Sequence, residues 1–345
     1  MWPRLFHAGV GMVRKSVVAL ALTAFVLAII LAGLWGSLAL FYRAPFGDTA
    51  RTMLAGVFAL GMVAAAVLVA TRRFRMARLP LAAFPALLVW WSTLTPSNHR
   101  EWAVDVSRPA VGSIEGDRLV MRNVRNFEWR TESEFTPRWE ERTYDLAKLS
   151  GVDLVASYWA GEDIAHILLS FGFTGGERLV WSIELRRTAT QSYSALASFF
   201  RQSELVFIAA DERDIIRLRT NVRGETVRMY PLRMREGVAR RLLAEYVEMA
   251  NQYAREPGWY NTVTANCTTM VFRIARALNP VAPFDWRVLL SGHFPELVYD
   301  HGGIDNAIPF ASWRAKAEIA GAAKAADALD SQAFSEAIRA QLALR

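Results

Sequence analysis

The first third of the chain consists mainly of long apolar runs, whereas the remainder mixes shorter patterns of strands and helices. Three runs approach or reach the roughly 20 residues that a helix needs to cross a bilayer. The last of them is the shortest and contains Pro80 and Pro85, although its Trp90 and Trp91 suit a membrane interface. The pattern predicts a membrane region at 1–96 with three transmembrane helices, at about residues 17–42, 52–70 and 79–95.

The rest of the chain has the pattern of an α+β domain, a mostly antiparallel sheet packed on helices. Alternating or β-rich runs predict strands at residues 118–129, 139–146, 152–159, 165–173, 178–186, 204–210 and 226–233. Helical periodicity predicts helices at about residues 192–202, 235–255, 266–277 and, in an Ala-rich tail, 312–344. These elements predict three regions in order: a linker at 97–117, the main domain at 118–300 and a helical tail at 301–345.

Basic residues predict the orientation of the apolar helices. Arg4, Arg14 and Lys15 precede the first run, and four arginines lie within residues 71–78, after the second. The positive-inside rule therefore places the N-terminus and the 71–78 loop in the cytoplasm. With three crossings, the chain from about residue 97 onward lies outside the cytoplasmic membrane.

The overall basic charge belongs to the membrane region. Of the net charge of +7, residues 1–100 contribute +9, because they hold ten Arg and Lys but one Asp, so the remainder carries −2. Nucleic-acid-binding domains carry their positive charge on the binding surface, so nucleic acid is not an expected partner. Dense charge at residues 211–214 instead predicts a structural salt-bridge corner.

Cys267 is the single cysteine in 345 residues, so an intramolecular disulfide is excluded. It is either an inert buried thiol or a nucleophile. Asn266 is a favourable N-cap residue, which predicts that Cys267 lies in the first turn of a helix. There the helix dipole and unpaired backbone N–H groups stabilise a thiolate, and they also stabilise an oxyanion on an acylated sulfur.

A nucleophilic thiol needs a base, and His166 is the best candidate. It lies on an otherwise apolar predicted strand, where it can face the start of the Cys267 helix. The alternative is a core histidine bonded to a backbone carbonyl. The other histidines lie in the cytoplasmic region, the linker or a loop rich in Gly and Pro: His7, His99, His293 and His301.

The strand after His166 offers groups to orient the imidazole. Ser182 and Glu184 share one face of it by two-residue alternation, and Glu184 is the candidate third catalytic residue. Pairing with a neighbouring arginine at the surface is the alternative for Glu184. Tyr260 and Asn261, upstream of the nucleophile, are candidates to line the pocket or donate to an oxyanion, as is Asn266, or simply to form a turn.

Several sequence blocks together resemble the Lnb N-terminal periplasmic domain family, formerly a domain of unknown function. The blocks lie at residues 123–129, 137–146, 165–173, 182–186, 211–219 and 259–269. The resemblance spans about residues 118–300 and implies a permuted papain-like core, with the histidine before the cysteine. His166 and Cys267 match that order. It further implies lipoprotein N-acyltransferase chemistry through a thioester, in the periplasm of a bacterium.

The namesake differs in one respect, since its catalytic domain precedes its membrane segments. The combined prediction is a multi-pass protein of the bacterial inner membrane with a periplasmic cysteine acyltransferase or lipid/ester hydrolase domain. Its expected partners are the lipid bilayer and a phospholipid or lipoprotein substrate, and no metal or organic cofactor is expected. Two alternatives stay open: a papain-like cell-wall peptidase or amidase that uses the same Cys–His pair, and a non-catalytic membrane scaffold.

Overall fold

The computed structural model describes residues 3–191, 194–278 and 283–342, with residues 3–13 described by their backbone alone. The chain divides into two compact units. One contains residues 1–96 and 200–202, and the other contains residues 97–199 and 203–345.

The first unit consists of three helices. They are α1 (Pro3–Arg43), α2 (Asp48–Ala70) and α3 (Phe74–Ser92). Their shared core is built largely from small side chains such as Ala65 and Ala66, packed around Ile29 and Met62. At Gly33 a Cβ atom would lie 2.8 Å from Met62 Cβ, so glycine allows α1 and α2 to approach closely there.

Two helices in the described part of the chain, not three, have the length and composition of membrane spans. These are residues 14–43 and 48–70. The prediction of a third span at 79–95 is therefore corrected. Helix α3 carries Arg75 and Arg78 in its first turns and contains Pro80 and Pro85, which make it shorter and less apolar than the other two. The length of the apolar run at 79–95 suggested a span, but the helix that contains most of it is too polar to count as one.

The second unit is an α+β domain, as predicted, with a mixed sheet. Its strands are β1 (Val111–Glu115), β2 (Arg118–Arg125), β3 (Glu128–Trp129), β4 (Phe135–Thr136), β5 (Trp139–Asp145), β6 (Leu149–Tyr158), β7 (Ala165–Phe173), β8 (Arg178–Arg186), β9 (Glu204–Ala210), β10 (Thr226–Pro231) and β11 (Gly258–Trp259). The main sheet has the order β1-β2-β9-β8-β7-β6-β10, with β5 paired to β2 and β11 to β9. Its pairs are antiparallel except for a short parallel contact between β2 and β9.

Helices cover both faces of this sheet. They are α4 (Ala195–Ser198), α5 (Glu212–Arg217), α6 (Val238–Arg255), α7 (Cys267–Leu278), α8 (Phe294–Asp300), α9 (Phe310–Lys316), α10 (Ala320–Ala325) and α11 (Ser331–Ala337). On one face, Trp181 and Phe207 pack with α6 and α7. On the other, Leu168, Val180 and Ile208 pack with α5, α10 and α11. The central strands are buried on both faces, which explains their nearly continuous apolar sequences.

The segments on either side of the main domain belong to its fold. The predicted linker at 97–117 contributes β1 and the buried side chains of Val106 and Ala110. The predicted helical tail forms three short helices, and Trp313 and Phe334 from it are buried in the two core layers. Hydrophobic periodicity is weak in both segments because their helices and strands are short.

Neighbouring strands β7 and β8 separate at one end. Their pairing begins with Gly172 opposite Arg178 and ends with Leu168 opposite Ser182. Beyond this point β7 stays bonded to β6 as far as Ala165, and β8 stays bonded to β9 as far as Arg186. The sheet therefore opens into a fork between these two strands, and α7 packs against both of them.

Candidate active site

Cys267 lies at the fork, as the first residue of α7. Its side chain is buried, and the residues that follow it on α7, Met270 and Val271, pack on the sheet face that also holds Trp181. His166 shares the opposite face with Leu168 by alternation along β7. The two groups thus come from opposite faces of the sheet and meet where the strands have separated.

The start of α7 is fixed by a reciprocal cap. The Asn266 side-chain oxygen accepts from the backbone N–H groups of Thr268 and Thr269, each at 2.9 Å. In return, the Thr269 hydroxyl accepts from the Asn266 backbone N–H at 2.8 Å. Asn266 also donates its amide group to the Thr262 carbonyl. Because the amide is engaged in this way, the backbone N–H of Cys267, at the first helical position, is the donor that best suits an oxyanion.

His166 is held from the sheet side by two polar groups. Its Nε2 lies 2.7 Å from the Ser182 hydroxyl and 3.3 Å from Glu184 Oε1. The Ser182 hydroxyl donates to the same carboxylate oxygen at 2.6 Å, so it accepts from Nε2–H. This arrangement fixes the tautomer with a proton on Nε2 and leaves Nδ1 for the thiol.

The thiol and the imidazole line the same cavity, and each shifts the pKa of the other. Burial is the largest single influence on His166 and would lower its pKa, but the Glu184 carboxylate and the Cys267 sulfur together outweigh it and raise that pKa to about 9. Burial alone would raise the pKa of Cys267, but the His166 charge and hydrogen bond bring it below its usual value, together with the Ile167 backbone N–H. These directions favour a thiolate–imidazolium pair at neutral pH.

A second layer of charge lies behind Glu184. Arg219 donates to Glu184 Oε1 at 3.0 Å and lies 3.5 Å from Glu225 Oε2. Ser157, which pairs with His166 across β6 and β7, donates its hydroxyl to Glu225. Burial would raise the pKa of Glu184, but His166 and Arg219 hold it well below its usual value.

A cavity of about 520 Å³ opens onto these groups. Cys267 and His166 line it together with Tyr260 and the half-exposed side chains of Trp159 and Leu289. The wall therefore offers both apolar surface and charge beside the thiol. A cavity of this size is in the range of small-molecule sites.

The predicted pocket residues have different positions. Tyr260 and Asn266 line the cavity, and Ser182 is fully buried between His166 and Glu184. Asn261 instead holds the loop before α7, because its side-chain oxygen accepts from the backbone N–H groups of residues 263 and 264. Its observed contacts are those of a turn.

The alternative histidines of the second unit make other contacts. His293 Nε2 lies 2.8 Å from Asp163 Oδ1, and His301 Nδ1 lies 2.9 Å from the Leu297 carbonyl. Both stand apart from the groups that line the cavity. The side chain of His7 lies outside the described residues.

Sequence reasoning missed Arg219, Glu225 and the Ile167 N–H. Arg219 lies five residues beyond the charged block at 211–214, which the sequence predicts to be a salt-bridge corner. The block is indeed a corner: Asp211, Glu212 and Asp214 are buried and pair with arginines. The two arginines that follow the block, Arg217 and Arg219, were the available signal.

Residues 135–292 match the family model of the Lnb N-terminal periplasmic domain. This match confirms the predicted family for the segment that contains Cys267, His166, Glu184 and Arg219. No curated protein and no solved structure matches the chain. With its two candidate membrane spans, the chain combines apolar N-terminal helices with a domain of a periplasmic family.

Proposed function

We propose that this Lnb-type domain is a cysteine-dependent acyltransferase or ester hydrolase, and that its fold is a permuted papain-like one. The observation that carries the proposal is the buried Cys267 thiol at the start of α7, which shares a cavity with an imidazole held by Ser182 and Glu184. A structural thiol has no need of an oriented base or of an adjoining cavity. Nucleophilic catalysis requires both.

The reaction begins with attack of the Cys267 thiolate on an ester carbonyl while His166 holds the thiol proton. The sulfur–carbon bond forms, and the Cys267 backbone N–H faces the oxyanion. The ester carbon–oxygen bond then breaks, and His166 gives its proton to the leaving alcohol. The resulting thioester is attacked by an amine, which gives an amide, or by water, which gives an acid. The attacking group passes a proton through His166 to restore the thiol.

A lipid is the proposed source of the acyl group, either a phospholipid or a lipoprotein. The two candidate membrane spans would hold the domain near the bilayer and raise the effective concentration of lipid substrate. The half-exposed Trp159 and Leu289 on the cavity wall suit an acyl chain.

The experiment is intact-mass spectrometry of the full chain after incubation with phospholipid in detergent or vesicles. The wild type should gain one acyl mass on Cys267, removable by neutral hydroxylamine. Cys267→Ala should gain none, and His166→Ala should form the adduct on the order of 10²-fold more slowly. His293→Ala is the matched control, because that imidazole pairs with Asp163, and its adduct should form at the wild-type rate.

Three results would redirect the proposal. Absence of an adduct on the wild type, together with hydrolysis of muropeptides, would make the protein a cell-wall peptidase or amidase. Alkylation of Cys267 no faster than in denatured protein, with full complementation by Cys267→Ser, would make it a scaffold. Equal adduct formation by the wild type and His166→Ala would remove the histidine from the mechanism.

We propose a periplasmic location for the domain, from its family. Two crossings that start from a cytoplasmic N-terminus would instead return the chain to the cytoplasm. Alkaline phosphatase fused after residue 96 distinguishes the two arrangements. Its activity would support the periplasmic location, and an inactive but stable fusion would reject it.

A further inference from the structure

A buried cation connects the candidate triad to a second carboxylate. The Arg219 side chain is 6% exposed and bridges Glu184, at 3.0 Å, and Glu225, at 3.5 Å. Its Nε atom is buried and has no hydrogen-bond partner within the described part of the chain. The position of this guanidinium is therefore set by two carboxylates, one of which also holds the His166–Ser182 pair.

The backbone that presents Arg219 is unusual. Leu218–Val222 is a π-helical turn that directly follows α5. Turns of this kind are rare in proteins overall, and those that occur are often found at functional sites. The wider turn inserts one extra residue and so changes the direction in which the following side chains project. Here it directs Arg219 to Glu184, while Arg217, just before the turn, pairs with Asp327.

We propose that Arg219 is a positioning residue, which keeps the Glu184 carboxylate ionised and aligned with the Ser182–His166 pair that serves the thiol. The inference rests on the proposed function only in taking Cys267 as the nucleophile. A buried carboxylate with a single partner would be free to turn away from Ser182 or to take a proton. With a cation on its far side, it does neither.

The sign of the effect follows from charge. Removing a cation from the cluster raises the pKa of every acid and base around it, because protonated forms gain and ionised acids lose stability. Arg219→Gln should therefore shift the formation of the Cys267 thiolate to higher pH. Other titratable or charged groups also face the cluster or its cavity. They are Tyr246 from α6, Arg125 from β2, Asp105, Glu132, Arg187 after β8, Arg223 after the π-turn and Glu225 before β10.

The test is the rate of alkylation of Cys267 by iodoacetamide as a function of pH. The full chain suits this measurement because it has no other cysteine. Arg219→Gln should move the midpoint of the acidic limb up by about one pH unit, which lowers the rate about tenfold below that midpoint. Arg223→Gln is the matched control. It removes the same charge from the same cavity, but Arg223 contacts Glu225 and Glu132, so its shift should stay below about 0.3 unit.

Arg219→Lys keeps the charge but not the two-pronged contact. It should leave the alkylation midpoint in place and reduce acyl-adduct formation at every pH. This variant also decides the matter if Arg219→Gln does not fold. The proposal is overturned if Arg219→Gln slows alkylation uniformly without moving the midpoint, if Arg223→Gln shifts it equally, or if Arg219→Lys matches the wild type in both assays. A wild type that forms no adduct, yet shows the Arg219 shift, would reject the proposed function and keep this inference.

Discussion

Two buried charge clusters in the domain contain similar residues but differ in how their hydrogen bonds are used. Arg125 and Asp214 form a two-pronged pair with both contacts at 3.0 Å, and both side chains are almost fully buried. Asp214 also accepts from the Phe127 backbone and the Trp129 indole, each at 2.8 Å. The donors in this cluster are a guanidinium, a backbone N–H and an indole N–H, none of which gives up a proton near neutral pH.

The cluster at the fork has the same kind of ion pair, Arg219 with Glu184, but adds two titrating groups. These are His166 and Cys267, each of which shifts the pKa of the other, and both face a cavity of about 520 Å³. Burial and ion pairing are thus common to both clusters. Arg125 also lines the cavity, so the feature that distinguishes the fork is its exchangeable proton, shared by a thiol and an imidazole.

The largest contrast should appear on breaking the Arg125–Asp214 pair. Asp214→Asn leaves a buried guanidinium without its counter-charge, which should lower the free energy of unfolding by about 3–5 kcal/mol. The alkylation midpoint of Cys267 in the folded fraction should shift less than in Arg219→Gln, because Asp214 does not line the cavity. Chemical denaturation, followed by alkylation below the transition, measures both.

A double replacement sharpens that result. Arg125→Met with Asp214→Leu removes both charges and should recover much of the lost stability, since neither partner is then left buried alone. A double variant as unstable as the single one would show that the pair's side-chain shape matters more than its charge.

A smaller effect, on pH dependence, is expected at the fork. His166 is charged below its pKa of about 9 because the Glu184 carboxylate and the Cys267 sulfur together outweigh burial. Glu184→Gln removes that charge, so the pKa of His166 should fall by about 1–3 units. The basic limb of acyl transfer, where the imidazolium loses the proton it gives to the leaving group, should move down by the same amount. NMR titration of labelled histidines in the full chain measures this directly, and an unchanged His166 titration would remove Glu184 from the site.

The smallest effect is expected at the cap of α7. Asn266→Ala removes the acceptor for the Thr268 and Thr269 N–H groups and should cost about 1 kcal/mol of stability. Asn266→Asp keeps the acceptor but loses the amide donor to the Thr262 carbonyl, so it should restore only part of the stability. Its negative charge beside Cys267 should slow alkylation at neutral pH. If Cys267 in the Asn266→Asp variant is alkylated as fast as in the wild type, the charge at the cap does not affect the pKa of the thiol.

The sequence predicted the central part of the domain well. Strands β7, β8 and β9 lie at their predicted bounds, because buried strands are continuous apolar runs and the 174–177 turn separates two of them. Gly176, at a φ of +90°, supplies the left-handed residue of that turn. Asn266 likewise marked the start of α7 to within one residue, because capping is local chemistry.

Features that depend on distant contacts were not predictable. The contact of Arg219 with Glu184 joins residues 35 positions apart through a π-turn that has no known sequence signature. For Asn261 the sequence left a pocket role and a turn open, and its side chain makes the contacts of the turn. Strand β1 is buried in part by α6, and its five residues are too few for an alternating pattern to predict a strand there.

Because of the opening between β7 and β8, the reactivity of Cys267 depends on complete folding of the domain. Its sulfur belongs to a helix on one side of the sheet, and its base reaches it from the other side, 101 residues earlier in the chain. A nascent or half-assembled chain therefore carries an ordinary thiol, with no imidazole to deprotonate it. Under the proposed mechanism, only molecules whose two layers have closed around the same gap have a thiol activated for acyl capture.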